Sequence, residues 1–280
     1  MTWTGPVLDN HLHLDFDGGV GPSVVRDFVN AGGTHLLVLN KPSWWYGVEA
    51  RQPEDFDVGY DATIETVARA TDLLPGRAWP VLGVHPALIS RLVEEGMTVE
   101  EAEALMQAGI DRAAERVKGG KAIAVKSGRP HYPVDDRIWE ASNRVIRHAF
   151  ARGAEVECAV QLHTESGTDF SEFATWAEDV GLDPARVVKH YASGPTKGAT
   201  PSVISHRDHL DSIVAAETAF LMETDYLDDP DRPGAVLGPK TVPRRVEWMA
   251  ESGHTAAIEC AHVSTPLMVY GIDTHDTFVD

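Results

Sequence analysis

Short apolar runs recur along the chain, separated mostly by stretches with helical spacing. His35 to Asn40 reads His-Leu-Leu-Val-Leu-Asn, an apolar run without alternation, as expected of a parallel strand covered on both faces. The run Val7 to His13 alternates instead. In an extended strand Asp9, His11 and His13 share one face, and Leu8 and Leu12 take the other. Further strands are expected at 79–84, 122–125, 157–162, 186–189, 202–205 and 220–224. Helical patterns fall between them: 23–30 with Ser23 as cap, 61–74, 98–117 opened by Thr98, 136–152, 170–180 and 208–216, with 243–251 closing the chain. No helix is expected between His190 and Pro201.

Eight strand-like runs in mostly alternating order predict an α/β fold, a TIM (β/α)8 barrel. No internal repeat, low-complexity segment or linker-like stretch divides the chain, so residues 1–280 are expected to form one domain. In such a barrel the loops after the strands build the active face, and this chain puts its chemistry there. His11 and His13 lie on the first strand, Lys126 follows the fourth, His163 the fifth, His190 the sixth and Asp225 the eighth. Neutral imidazole is a common nitrogen donor to zinc-like metals, and a His-x-His pair on a strand can approach one cation from one side.

Composition narrows the partners. Against 24 Lys+Arg stand 43 Asp+Glu, a net charge of −19, which disfavours nucleic acid as a partner at ordinary ionic strength. Arginine far outnumbers lysine, giving an acidic, lysine-poor surface of the kind expected in a salt-rich cytoplasm, where screening weakens repulsion of an anionic substrate. Cys158 and Cys260 stand far apart and offer neither a disulfide framework nor a cysteine metal site. No run reaches the ~20 apolar residues of a membrane span, and a cytoplasmic location without membrane partners is expected.

The assembled set resembles the amidohydrolase superfamily. Asp9-x-His11-x-His13, Gly83-Val84-His85-Pro86 and Glu223-Thr224-Asp225 are similar to the TatD-related metal-dependent hydrolases, and Gly128 to Pro133 with Glu223 to Pro230 are similar to an archaeal-type branch. The resemblance implies one or two divalent metal ions, with zinc favoured and Mn, Co, Ni or Mg as alternatives. It places His11, His13 and Asp225 on one ion and His163 and His190 on the other. TatD-type proteins usually carry a bridging Glu after the fourth strand, whereas this chain has Lys126. An ammonium repels metals, but a desolvated neutral amine can take up CO2 as a carbamate and restore two bridging oxygens. Carboxylated Lys126 is therefore the favoured expectation, and an unmodified amine predicts one metal or none.

The implied function is hydrolysis by metal-activated hydroxide, with Asp225 as general base. The bond is a phosphoester, as in a deoxyribonuclease-like enzyme, or an ester or amide of a small molecule. Arg129, His131 and Tyr132 could bind an anionic or nucleotide-type substrate or protonate a leaving group. His85 is either a pocket group or a loop-packing residue, and Trp44-Trp45-Tyr46 either wall a pocket or cover the rim. Asp9 is expected behind the ligands or in the core, and Glu223 either in the lumen or orienting the site. Two alternatives remain: a Schiff-base lyase using unmodified Lys126, and a non-catalytic binding barrel.

Overall fold

The computed structural model describes residues 2–234 and 236–277, so the ends of the expected 1–280 domain lie outside it. Among the described residues, parallel strands β1 (Leu8–His13), β2 (His35–Leu39), β3 (Ala78–Gly83), β4 (Ala124–Gly128), β5 (Ala159–His163), β6 (Val187–Ala192), β7 (Thr200–Ile204), β8 (Leu221–Glu223) and β9 (Tyr226–Leu227) form one curled sheet. Its spatial order is β8-β7-β6-β5-β4-β3-β2-β1-β9. The two ends of that order are joined by the chain itself, because only Thr224 and Asp225 separate β8 from β9. The Asp225 amide donates to the His11 carbonyl at 2.9 Å, and the Thr224 amide to Asp9 Oδ1 at 3.1 Å. These contacts close the expected (β/α)8-type barrel, with the short β9 as an addition the sequence reading lacked.

Helices α1 (Pro22–Asn30), α2 (Asp57–Thr71), α3 (Ala87–Glu94), α4 (Val99–Lys118), α5 (Asp136–Glu155), α6 (Ser171–Asp179), α7 (Arg207–Ala216), α8 (Thr241–Glu251), α9 (Thr255–Glu259) and α10 (Thr265–Tyr270) accompany the strands. Thr98 opens α4 as expected, through a capping box with Glu101. At α1 the expectation fails: Gly21 is the cap and Pro22 the first helical residue, while the Ser23 hydroxyl donates to the Val20 carbonyl. Strand β5 starts later than expected because Glu157 takes a left-handed turn (φ 56°). Helix α3 and the segment α9–α10, which is linked through a π-turn at Cys260–Ser264, had no counterpart in the sequence reading.

Strand alternation sorts the core into two layers. Outward residues such as Leu82, Val125 and Val160 pack against helices, with Phe150 and Phe173 among the largest contributors. Inward residues Leu8, Leu37, Leu39, Val81, Ala124, Ala159, Val188 and Leu221 fill the lower barrel, which Val269 and Ile272 plug from the α10 side. The middle layer is polar and buried: Asn10, Lys126, Gln161, Ser202 and Glu223. Residues on the same faces further along the strands therefore emerge at the C-terminal mouth.

One expectation is corrected here. Leu8 lies in the barrel interior with Leu37 and Val81, whereas Leu12 packs outward against Val24 and Val25. The reason is a break in the β1–β2 register between Asp9 and Leu12, where three steps of β1 face two of β2. That bulge rotates the strand midway, so strict alternation does not run through it.

A histidine and carboxylate centre at the barrel mouth

The bulge in β1 contains His11, and a second one contains His190: β6 and β7 shift register between Lys189 and Ala192. Bulges re-aim side chains next to functional sites. The two imidazoles meet face to face, with centroids 3.6 Å apart. His13 lies edge-on to His11 at 5.4 Å, and Asp225 reaches in from the β8–β9 junction in a left-handed conformation (φ 49°) that aspartate tolerates. Asp225 Oδ1 stands 3.7 Å from His11 Nε2 and 3.9 Å from His190 Nε2.

In each of these three rings Nδ1 faces an oxygen acceptor. His11 Nδ1 faces Gln161 Oε1 at 2.9 Å, and His13 Nδ1 faces the Leu39 carbonyl at 3.0 Å. Gln161 is oriented by donating its amide to Tyr270 Oη at 2.9 Å and to the Asn10 carbonyl at 3.2 Å. His190 Nδ1 lies 2.7 Å from Glu223 Oε1, close enough for charge pairing though not aligned as a regular hydrogen bond. Acceptors at Nδ1 hold the proton there and leave the Nε2 lone pair as the ligand atom. His11 Nε2 is buried without a hydrogen-bond partner.

Electrostatics point the same way. Burial holds His11, His13 and His190 well below the usual imidazole range, reinforced for each by the charge on Lys126, so all three are neutral donors. Burial lifts Asp225, with Lys126 opposing, and lowers Lys126, with Asp225 and Glu223 opposing. Burial also raises Glu223, and Asp225 adds to that rise. A cation among these groups would relieve the burial of Asp225 and Glu223, so the donor set fits a divalent metal. Two groups have donor atoms near enough to share an ion: His11, His13 and Asp225, and His11, His190 and Glu223.

The remaining predicted residues fall into two sets. Lys126, buried and without a side-chain hydrogen bond or ion pair among the described residues, faces the same cavity as His13, His85, His163 and Asp225. His163 stacks beside His190 at 5.3 Å, but its Nε2 is 2.9 Å from His131 Nδ1, so in this arrangement that nitrogen is shared with His131. His85 lines the cavity 4.8 Å from His163, and its Nδ1 accepts the Ala87 amide at the start of α3.

Arg129 departs from the expectation of an anion-binding group. Its guanidinium is buried, pairs with Glu165 and with Glu172 at 2.7 Å, donates to Asn143 at 2.9 Å, and is packed by Trp139 and Phe173. Those contacts use its fork to tie β4 to α5 and α6. Tyr132 likewise donates its hydroxyl to Ser90 at 3.0 Å. Asp9 accepts from the Thr224 and His11 amides and from the Thr224 hydroxyl at 2.6 Å, which places it behind the centre as a brace for barrel closure. Sequence reasoning did not single out Gln161, Ser202 or Tyr270. Gln161 was legible as the inward neighbour two residues before His163.

A parallel barrel with neutral imidazoles and a carboxylate gathered at its C-terminal mouth offers a candidate metal site. The chain belongs to the TatD related DNase family, whose profile matches residues 8–267. It is 37% identical over 262 residues to the uncharacterized protein MJ1127 of Methanocaldococcus jannaschii, covering 89% of both chains. Among solved structures it is similar to a mutant organophosphorus hydrolase from Deinococcus radiodurans (TM-score 0.59, 14% identity, 95% of this chain and 93% of that one). The lactonase Lmo2620 from Listeria monocytogenes is also similar (TM-score 0.59, 13% identity, 95% and 94%). At those identities the two structures speak for the shared fold.

Proposed function

We propose that the protein is a metal-dependent hydrolase that cleaves a phosphoester or an acyl ester or amide at the barrel mouth. The observation that carries this reading is the set of three imidazoles whose Nδ1 atoms face acceptors while their Nε2 atoms remain available around Asp225. His11, His13 and Asp225 would hold one divalent cation, zinc being the best match to this nitrogen-rich set. His190 and His163 would hold a second, which requires His163 to release His131. Bound metal supplies Lewis acidity, lowering the pKa of water from ~15.7 toward ~7 and polarising the bond under attack.

The chain's own groups do the rest. Asp225, lifted by burial, accepts a proton from the attacking water and is our general base. Glu223 holds the His190 ring through Nδ1, and Gln161 does the same for His11. His85, on the cavity wall, and His131, exposed beside His163, are our candidates to pass a proton to the leaving group. Lys126 fits the carbamate reading: a buried amine lowered by burial, with no side-chain hydrogen bond or ion pair among the described residues, would condense with CO2 and lose one proton, giving an anionic group able to hold metal.

The test uses bis(p-nitrophenyl) phosphate and p-nitrophenyl butyrate as probes. Turnover should disappear on chelation and return with Zn2+ or Mn2+. Lys126→Glu, which supplies a carboxylate directly, should retain activity where Lys126→Met loses at least ~100-fold. Turnover of both probes unchanged after chelation contradicts the hydrolase reading. A Lys126→Met enzyme as active as wild type contradicts the bridging role.

A further inference from the structure

The cavity above the centre has a volume of about 320 Å3, and its wall carries Lys41, Lys126 and Arg232 against a single carboxylate, Asp225. Lys126 belongs to the centre as its carbamate candidate, so Lys41 and Arg232 are the cations left on this wall. Trp44 and Trp45 form part of the same wall. Lys41 is spent on Asp15, at 3.1 Å, and its ammonium lies 5.1 Å over the Trp45 ring, so it fixes the indole in place of recruiting a ligand. Arg232 differs from both Lys41 and the buried Arg129. It sits between β9 and α8, is exposed, and its guanidinium has no ion pair or hydrogen bond among the described residues.

We propose that Arg232 is the anion-binding residue of this mouth and that Trp44 and Trp45 flank a planar group, so that the substrate is a single small anionic ester bearing an aromatic or heterocyclic ring. The inference rests on the hydrolase reading for the word ester and on the cavity for the rest. Arginine's fork matches the oxygen pair of a phosphate or carboxylate. An indole wall suits a flat ring. The volume lies at the low end of the ~300–1,000 Å3 range of small-ligand sites, enough for one aryl- or nucleotide-sized molecule. A polymer would have to continue across an acidic surface that repels its phosphates.

The test is calorimetric binding to the whole protein, Zn2+-loaded and metal-stripped, with phenylphosphonate, methylphosphonate and a short oligothymidylate as probes, none of which requires turnover. In both metal states phenylphosphonate should bind more tightly than methylphosphonate. Arg232→Ala should weaken phenylphosphonate about tenfold or more, with Arg232→Lys intermediate. Trp45→Ala should erase the preference for phenyl over methyl. Wild-type affinity in Arg232→Ala, absence of phenylphosphonate binding, or no phenyl preference overturns the proposal, and tighter binding of oligothymidylate overturns the small-substrate part. Failure of the hydrolase reading looks different, because metal-independent ester turnover would leave Arg232-dependent phosphonate binding intact.

Discussion

At the scale of single residues, the centre depends on which nitrogen of each histidine is free. Glu223 is fully buried, and its carboxylate accepts from the Tyr191 amide at 2.8 Å and from the Ser202 hydroxyl while facing His190 Nδ1. Glu223→Gln keeps the shape but removes the charge that holds the Nδ1 proton, so metal affinity should drop about 10–100-fold with the fold intact. Competition with a chelating dye measures it, and unchanged affinity would show Glu223 to be mere packing. A second residue tests the fold away from the centre. His262, in the π-turn before α10, accepts the Leu8 amide at 3.0 Å and leaves Nε2 buried without a partner. Burial lowers it from 6.5 to about 3. The unfolded chain therefore binds a proton that the folded one refuses. The resulting stability is complete above about pH 6.5 and drains as pH falls toward about 3, at up to ~1.4 kcal/mol per pH unit. Urea unfolding of chelated protein at several pH values should show this slope, and His262→Gln, which can still accept the Leu8 amide, should flatten it; equal slopes would refute the assignment.

At the scale of elements, the two bulged strands decide where the candidate ligands point. Tyr191 follows His190 in the β6 bulge with φ 56° and a half-exposed ring. A left-handed aromatic residue is strained, and here the strain turns its amide onto Glu223. Tyr191→Gly should be at least as stable as wild type and about 1–2 kcal/mol more stable than Tyr191→Val, because a β-branched residue tolerates this conformation least. Denaturant midpoints decide it, and a Gly variant less stable than the Val variant would contradict the strain argument. Such bulges mark what the sequence could not disclose. Apolar runs at 35–40, 79–84 and 122–125 announced buried strands directly, and His163, His190 and Asp225 were singled out as candidates because they end such runs. A bulge leaves no periodic trace, so the facing of Leu8 was misread although the His11 and His13 pair was not. Arg129 was misassigned because its partners, Glu165 and Glu172, lie on later elements that only the fold brings near.

At the scale of the whole molecule, closure and chemistry are the same event. The barrel shuts where Asp225 and Thr224 bond to β1, and the residue that closes it is also the carboxylate of the centre. From below, Val269 of α10 and Ile272 just beyond it form a plug, and Tyr270 supplies the hydroxyl that orients Gln161 and, through it, His11. Helix α8 was legible as the expected 243–251, whereas α9 and α10 follow it without an intervening strand and had no counterpart in the sequence reading. Among the described residues no helix is long and apolar enough to cross a membrane. The most direct test of the account is the anomalous scattering of crystals grown with Zn2+. The account predicts a peak about 2.0–2.2 Å from Nε2 of His11, Nε2 of His13 and a carboxylate oxygen of Asp225. Zinc bound only elsewhere, or no peak at saturating Zn2+, would contradict it.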